Sequence, residues 1–385
     1  MMLKRIILSA ITICIILLVF APDSYGAGEL NIKGEACILV DGVSGETIYA
    51  QNPDKKWFPA SITKIMTMVL ALEAIEQGKA DLEDQVSTSE YAASMGGSQV
   101  YLYPGETRSL HEMLIAISVG SGNDASVAVA EFLAGSHEAF VDTMNTKAKE
   151  LGMKGTNFTN SHGLHDDNHY TTAEDMAKLA VYALNVPKFL EYTSIYEYDF
   201  RPEPKPLKLW NTNRLLKWYD GCDGMKTGST SIAKRNLVST AERNGLRLVA
   251  VVLGVGVTNG HFTESMKLLN FGFNQFEFAQ IYQKGDKVTS INVSKGAVDE
   301  IDLVAAKNVG GIKKKGEEVN LTTEISVSEY AAAPIIKGTK LGEVAVLKNG
   351  RELERVDLIA AADVARAGLG RQIKKIIDQV LLAVK

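Results

Sequence analysis

From Ile65 to Ala74 the chain is nearly all Met, Val, Leu, Ile, Ala and Thr. A helix with that pattern is apolar on most of its faces, which predicts burial in the middle of a domain. Pro59 suits its first turn, where a missing N–H costs nothing. Upstream, residues 35–41 and 46–50 read as two strands across the turn Asp41-Gly42-Val43-Ser44-Gly45. Residues 80–200 turn helical. Ser109-Leu110-His111-Glu112 is a capping box opening a helix through Ser118, and Thr171-Thr172-Ala173-Glu174 opens another through Leu184. Residues 122–134 and 137–151 carry helical periodicity too. The periodicity then changes: Asn236–Ala241 and Leu246–Val255 predict strands across an Asn244-Gly245 turn, followed by a helix over 261–274. Strands on both sides of a helical insert predict one antiparallel sheet with helices packed on it, an α/β (α+β) arrangement.

Beyond residue 284 the texture shifts again. Lys287–Val293, Glu300–Val304, Val319–Ile325 and Lys340–Lys348 are short β-type runs between Gly, Lys and Asn turns, predicting a small all-β domain over 285–360. In the last stretch Ile373, Ile376, Ile377, Val380, Leu381 and Val384 share one helical stripe. Arg371, Lys374, Lys375, Asp378 and Lys385 fall largely off that stripe. An amphipathic helix is therefore expected over 361–385. At the other end Lys4 and Arg5 precede an apolar run from Ile6 to Phe20 and the small residues of Ser24-Tyr25-Gly26. Residues 1–26 read as a secretory signal peptide, which leaves 27–284 for the main domain.

Composition adjusts this picture at three points. A chain of 385 residues that is 46% apolar can bury a sizeable core and hold two domains. The net charge of −5 carries no basic excess, so a nucleic-acid partner is not suggested. Of three cysteines, Cys14 leaves with the leader, and Cys37 and Cys222 are too few for a disulfide scaffold. Cys37 reads as a core residue in its strand; whether the two pair is left open.

The candidate chemistry starts at Pro59-Ala60-Ser61-Ile62-Thr63-Lys64. Ser61 and Lys64 are three apart and share one face at the head of the buried helix. Desolvation lowers a lysine pKa, and a neutral lysine can take the proton of a serine. A second copy, Ser231-Ile232-Ala233-Lys234, stands where a strand is predicted, and there residues three apart point to opposite faces. It is treated as a decoy. Two other stretches join Ser61: Ser121-Gly122-Asn123 in a turn between apolar helices, and Lys226-Thr227-Gly228 entering the strand region. The glycine is expected to let a substrate backbone approach the sheet edge. His162, His165, His169, Asp166 and Asp167 cluster in one loop and are read as structural or cleft-lining, not as a metal site. Gly-x-Ser-x-Gly is absent, which disfavours a hydrolase triad on an α/β sheet.

Ser-x-x-Lys, then Ser-x-Asn, then Lys-Thr-Gly, in that order behind a leader, is the motif set of penicillin-binding proteins and serine β-lactamases. From about Glu35 to Phe276 the chain resembles the low-molecular-mass penicillin-binding proteins, the D-alanyl-D-alanine carboxypeptidase family. Pro59–Thr67, Ser121–Ser126, His162-Gly163-Leu164 and Asp223–Gly228 carry the resemblance, and the β-type tail and final helix fit the same layout. The resemblance implies a transpeptidase-like fold and a serine peptidase acting on peptidoglycan stem peptides. It implies inhibition by β-lactams, no cofactor, and a peripheral position on the outer face of the cytoplasmic membrane. Ser61 is then the expected nucleophile, Lys64 its base and Ser121 a proton relay. Asn123 is expected to hold a substrate amide, Lys226 and Thr227 the terminal carboxylate, and the backbone N–H groups of Ser61 and Ser229 the oxyanion.

Three positions depart from the family pattern. Ser229 follows Lys-Thr-Gly where histidine is usual, and Gly260-His261 stands where many members carry a carboxylate-gripping arginine. Lys234-Arg235 replaces a small-aromatic pair and reads as a solvated strand edge. Two rival functions share features of the chain. A serine β-lactamase uses the same acylation apparatus, but no glutamate is placed as in class A enzymes and the β-type tail is foreign to them. A non-catalytic wall-binding protein with a vestigial site is the other, against which all the named residues are intact.

Overall fold

The computed structural model describes residues 30–202, 205–368 and 370. Two units divide the chain, Met1–Ile32 and Lys33–Lys385; in the first, only residues 30–32 are described. The expected signal peptide and nearly all of the expected C-terminal helix lie outside the described residues.

In the second unit a five-stranded sheet forms from β1 (Ala36–Asp41), β2 (Thr47–Gln51), β3 (Cys222–Thr230), β4 (Lys234–Arg243) and β5 (Leu246–Val255). Its order is β2-β1-β5-β4-β3, antiparallel throughout, so chain segments from both ends of the helical insert meet at β1 and β5. Both are buried along nearly their whole length, which is why they read as unbroken apolar runs. Asn244 and Gly245 both take positive φ, 51° and 80°, as the two-residue hairpin between β4 and β5 demands.

The insert supplies α1 (Lys64–Glu76), α2 (Leu110–Ser118), α3 (Asn123–Ala134), α4 (His137–Glu150) and α5 (Ala173–Leu184). Every residue of α1 from Lys64 to Glu73 is buried, matching its all-round apolar pattern. Side chains alternate across a strand. Ile38, Val40, Val249 and Val251 thus enter the helical core, while Leu39 and Leu248 meet Gly272 of α6 (Gly260–Gln275) on the other face. The capping box at Ser109 and Glu112 forms with both of its hydrogen bonds. The start of α5 is shifted by one residue: Thr172 is the cap and accepts from Asp175 N, while buried Thr171 pairs with Trp57 and Thr156.

The second domain begins earlier than 285. Strand β6 (Phe276–Tyr282) pairs with β9 (Val309–Lys314), and a six-stranded sheet follows with its own core. That sheet combines β7 (Lys287–Ser294), β8 (Glu300–Ala305), β10 (Leu321–Val327), β11 (Tyr330–Ala332), β12 (Lys340–Lys348) and β13 (Arg351–Ala360). Strands β6, β9 and β11 carry no clear turn-bounded alternation and escape a sequence reading, whereas β13 escapes it although it follows the Asn349-Gly350 turn and buries Val356, Leu358 and Ala360 alternately. Residues 361–368 are extended rather than helical: Val364 bridges Ile335 and Arg366 bridges Gly296. The sheet edge claims them before a helix can start.

Candidate active site

Ala60–Thr63 forms a 3-10 turn that runs into α1. In such a turn side chains three apart eclipse one another. Lys64 Nζ accordingly lies 3.1 Å from Ser61 Oγ, 2.6 Å from Asn123 Oδ1 and 2.7 Å from the His162 carbonyl oxygen. Lys64 is 0% exposed. Burial first, and then the charge of nearby Lys226, holds its amine well below the usual 10.5, with Asp124 pulling the other way. A neutral amine has two N–H donors and one lone pair. Asn123 and His162 can take the donors, which aims the lone pair at the Ser61 hydroxyl. That geometry can remove the hydroxyl proton as the oxygen attacks.

The turn carrying Ser61 is held from three sides. Asn236, buried in β4, donates to the carbonyls of Phe58 and Pro59 at 2.8 and 2.9 Å and accepts from Gly254 N at 2.8 Å. Thr63 Oγ1 lies 2.8 Å from His169 Nε2, and Thr67 Oγ1 donates to the Ser161 carbonyl at 2.6 Å. Strand β3 supplies the third side. A Cβ at Gly228 would stand 2.6 Å from Pro59 O and 3.0 Å from Ser61 N. The glycine was expected to make room for a substrate; the space is filled by this chain's own Pro59–Ile62 backbone. Ala60 at φ 50° and Ser121 at φ 56° are both buried in the left-handed region, a strain of about 1–3 kcal/mol each that only a well-packed surrounding sustains.

Ser61, Ser121, Thr227, Gly228 and Ser229 line one cleft of about 550 Å³, with Trp210 and Thr212 on its wall. Lys226 is 1% exposed beside it, and burial brings its amine down to about 7. Its Nζ makes only long contacts, 3.5 Å to Thr212 Oγ1 and 3.4 Å to the Thr227 carbonyl, while Thr212 and Thr227 hydroxyls are 2.6 Å apart. All eight site residues singled out in the sequence thus gather in or directly beneath one cleft. Asn123 differs in part from expectation: its Nδ2 donates to Gly96 O at 2.7 Å and its Oδ1 holds Lys64, so it positions the amine as well.

The second Ser-x-x-Lys copy stays out of the site, though not for the expected reason, since Ser231–Ala233 form a turn and not a strand. Ser231 sits in the β3–β4 turn, and Lys234 Nζ pairs with Glu35 at 2.5 Å. Arg235 does not behave as a solvated edge; it lines the cleft together with Arg214 and His261. The loop histidines are committed to protein partners. His162 Nδ1 accepts from Leu164 N, His169 bonds Thr63 and Thr159, and burial presses these two imidazoles down to about 2 and about 4. Both remaining cysteines are free thiols, which burial raises to about 12. Sequence reasoning missed the His162 carbonyl, Asn236, Thr212 and Arg214. Only Asn236, a lone amide heading the apolar run Leu237-Val238, left a signal.

A two-part α/β and all-β architecture with this cleft defines a penicillin-binding-protein-like fold, and comparison with known proteins agrees. The D-alanyl-D-alanine carboxypeptidase family profile matches residues 23–256, and that of the penicillin-binding protein 5 C-terminal domain matches 276–366. The chain is 41% identical to the D-alanyl-D-alanine carboxypeptidase DacF of Bacillus subtilis (strain 168), over 95% of this chain and 96% of that one. It is 34% identical to DacC of Escherichia coli (strain K12), over 91% and 90%. Penicillin-binding protein 5 from Haemophilus influenzae superposes with a TM-score of 0.65 at 33% identity, covering 87% of this chain and 98% of that structure. The chain belongs to the D-alanyl-D-alanine carboxypeptidase family.

Proposed function

We propose that this protein is a serine-type D-Ala-D-Ala carboxypeptidase that trims peptidoglycan stem peptides through an acyl-enzyme on Ser61. The observation that carries the reading is the Ser61–Lys64 contact of 3.1 Å on a fully buried amine. Ser61 Oγ gives its proton to Lys64 Nζ and attacks the carbonyl between the two terminal D-alanines. The backbone N–H groups of Ser61 and Ser229 receive the developing oxyanion. The C–N bond breaks, Ser121 passes a proton to the departing amine, and free D-alanine leaves. Water then hydrolyses the Ser61 ester and releases the shortened stem. Lys226 and Thr227 face the substrate's terminal carboxylate, and Asn123 both steadies Lys64 and offers its second N–H to the substrate.

A β-lactam presents a similar carbonyl and carboxylate, so it serves as a probe. Mass spectrometry after penicillin treatment is expected to find one adduct, on Ser61. Ser61→Ala is expected to lose both the adduct and D-alanine release while melting as the parent does. An adduct on Ser231 would overturn the assignment. We further infer that residues 1–26 direct export. By the same reading residues 371–385 hold the enzyme on the outer face of the cytoplasmic membrane as an amphipathic helix, five cations standing against two acids between Asp363 and Lys385.

A further inference from the structure

Asp124, the second residue of α3, is 1% exposed. A carboxylate in the first turn of a helix ordinarily serves that helix's own free N–H groups. Only one of its bonds does so here, from Ala125 N at 2.9 Å. The others come from a separate loop: Val100 N donates to both oxygens, at 3.2 and 3.1 Å, and Leu102 N donates to Oδ2 at 3.1 Å. Tyr101, between the two donors, takes φ 56°, a strained conformation that the shared acceptor sustains. The loop gathered in this way, Gly96–Leu102, is bonded to the Ser121-Gly122-Asn123 turn. Asn123 N donates to the Ser98 carbonyl at 2.8 Å, and Asn123 Nδ2 donates to Gly96 O at 2.7 Å. A Cβ at Gly97 would stand 2.8 Å from that same Nδ2, and a Cβ at Gly122 would stand 2.8 Å from Asp124 Oδ1. Carboxylate, loop and turn thus leave one another no slack. With Nδ2 committed to Gly96, the Asn123 amide turns its Oδ1 to Lys64 Nζ, 2.6 Å away.

We propose that Asp124 is a positioning residue for acylation: it clamps the Gly96–Leu102 loop onto the Ser121-Gly122-Asn123 turn, and the loop aims the Asn123 amide at Lys64. This rests on the reading of Lys64 as the base of Ser61. The charge of Asp124 acts as well. Lys64 is faced by Lys226 from β3, by Asp124 from α3, and by His162 and His169 from their loop, both imidazoles neutral at pH 7. Burial and Lys226 favour the unprotonated amine, and Asp124 pulls the other way. The residue that orders the loop therefore also restrains the base.

The test is the pH profile of penicillin acylation of the full chain, read as the saturating rate constant and the concentration at half-saturation. Asp124→Asn keeps the shape of the side chain and removes its charge. The rising limb of its profile is expected to move to lower pH, because the amine then loses its proton more readily. Its plateau rate constant is expected to fall ~10²-fold, the effect of about 1 Å of misplacement at reacting groups, with half-saturation changed far less. Asp124→Glu keeps the charge, so its limb should stay in place while its plateau falls. Gly97→Ala reaches the Asn123 amide from the loop side and should lower the plateau with the limb unmoved. Thermal melting checks that each variant is folded. A folded Asp124→Asn enzyme with the parent plateau, or with an unmoved limb as a merely structural role would give, overturns the proposal. Where that variant does not fold, a parent plateau in Gly97→Ala overturns it. A parent enzyme that penicillin leaves unacylated sinks the Ser61–Lys64 reading instead.

Discussion

Gly163→Ala is expected to damage catalysis far more than stability. Gly163 takes φ +90°, and a Cβ there would stand 2.0 Å from Ala60 O, 2.3 Å from Ala60 C and 2.9 Å from Ser61 N. Real Cβ atoms do not approach within 3.0 Å, so the two backbones must part by about 1 Å. The segment displaced is the one that carries the nucleophile and its N–H. The peptide on the other side carries the His162 carbonyl that holds Lys64 at 2.7 Å. A misplacement of about 1 Å at reacting groups costs ~10²-fold in rate. Left-handed backbone at an alanine costs in addition about 1–2 kcal/mol. In a domain of this size that lowers the melting temperature by about 2–8 °C. Gly135→Ala separates the two effects. Gly135 closes α3 at φ +80° with nothing within 4 Å of its Cβ position, so it carries the strain without the collision. Penicillin acylation rates and melting curves of both variants decide the matter. Gly135→Ala should melt early and acylate at the parent rate, whereas Gly163→Ala should lose about two decades. Acylation by Gly163→Ala at the parent rate would refute the packing of the His162–Leu164 loop against the Ser61 turn as a determinant of the site.

Lys64→Ala is expected to slow acylation ~10²–10⁴-fold, the range of a lost general base. The unprotonated amine is the active form, so the parent rate should rise with pH along a limb lying well below 10.5; Lys226→Met removes the second cause of that depression and should move the limb to higher pH. An unmoved limb in Lys226→Met would assign it to another group. Truncation after Gly370 removes the charged amphipathic stretch but spares Val364 and Ala367, which are buried in the second domain. The truncated chain is expected to move from the membrane fraction to the soluble one and to keep D-alanine release from a short peptide; continued sedimentation with membranes places the anchor elsewhere.

What the sequence discloses here depends on whether a contact is local. Ser61 and Lys64 meet because they stand three positions apart, and either an α or a 3-10 turn would bring them together. The unbroken apolar runs of β1 and β5 announce central strands because burial on both faces removes the need for alternation. The Asn244-Gly245 turn is legible for a similar reason, since few other dipeptides accept two positive φ values in succession. Nothing comparable marks the His162 carbonyl: a backbone oxygen has no sequence signature, and the fold alone brings it to Lys64 from 98 positions away. Gly228 shows a subtler failure. Its smallness was legible, but the group that needs the space is Pro59 O, and only the docking of β3 on the nucleophile turn reveals it. Arg235 is the sharpest case. Its placement beside Ser229 depends on the β3–β4 register, and one residue more or less in the Ser231–Ala233 turn would have sent it to the other face. Substitutions in that turn therefore bear on the charge of the cleft without touching any motif residue. The departures from family pattern at Arg235 and at His261 are separate in sequence, yet both side chains line one wall of the cleft, while Lys234 turns away to Glu35.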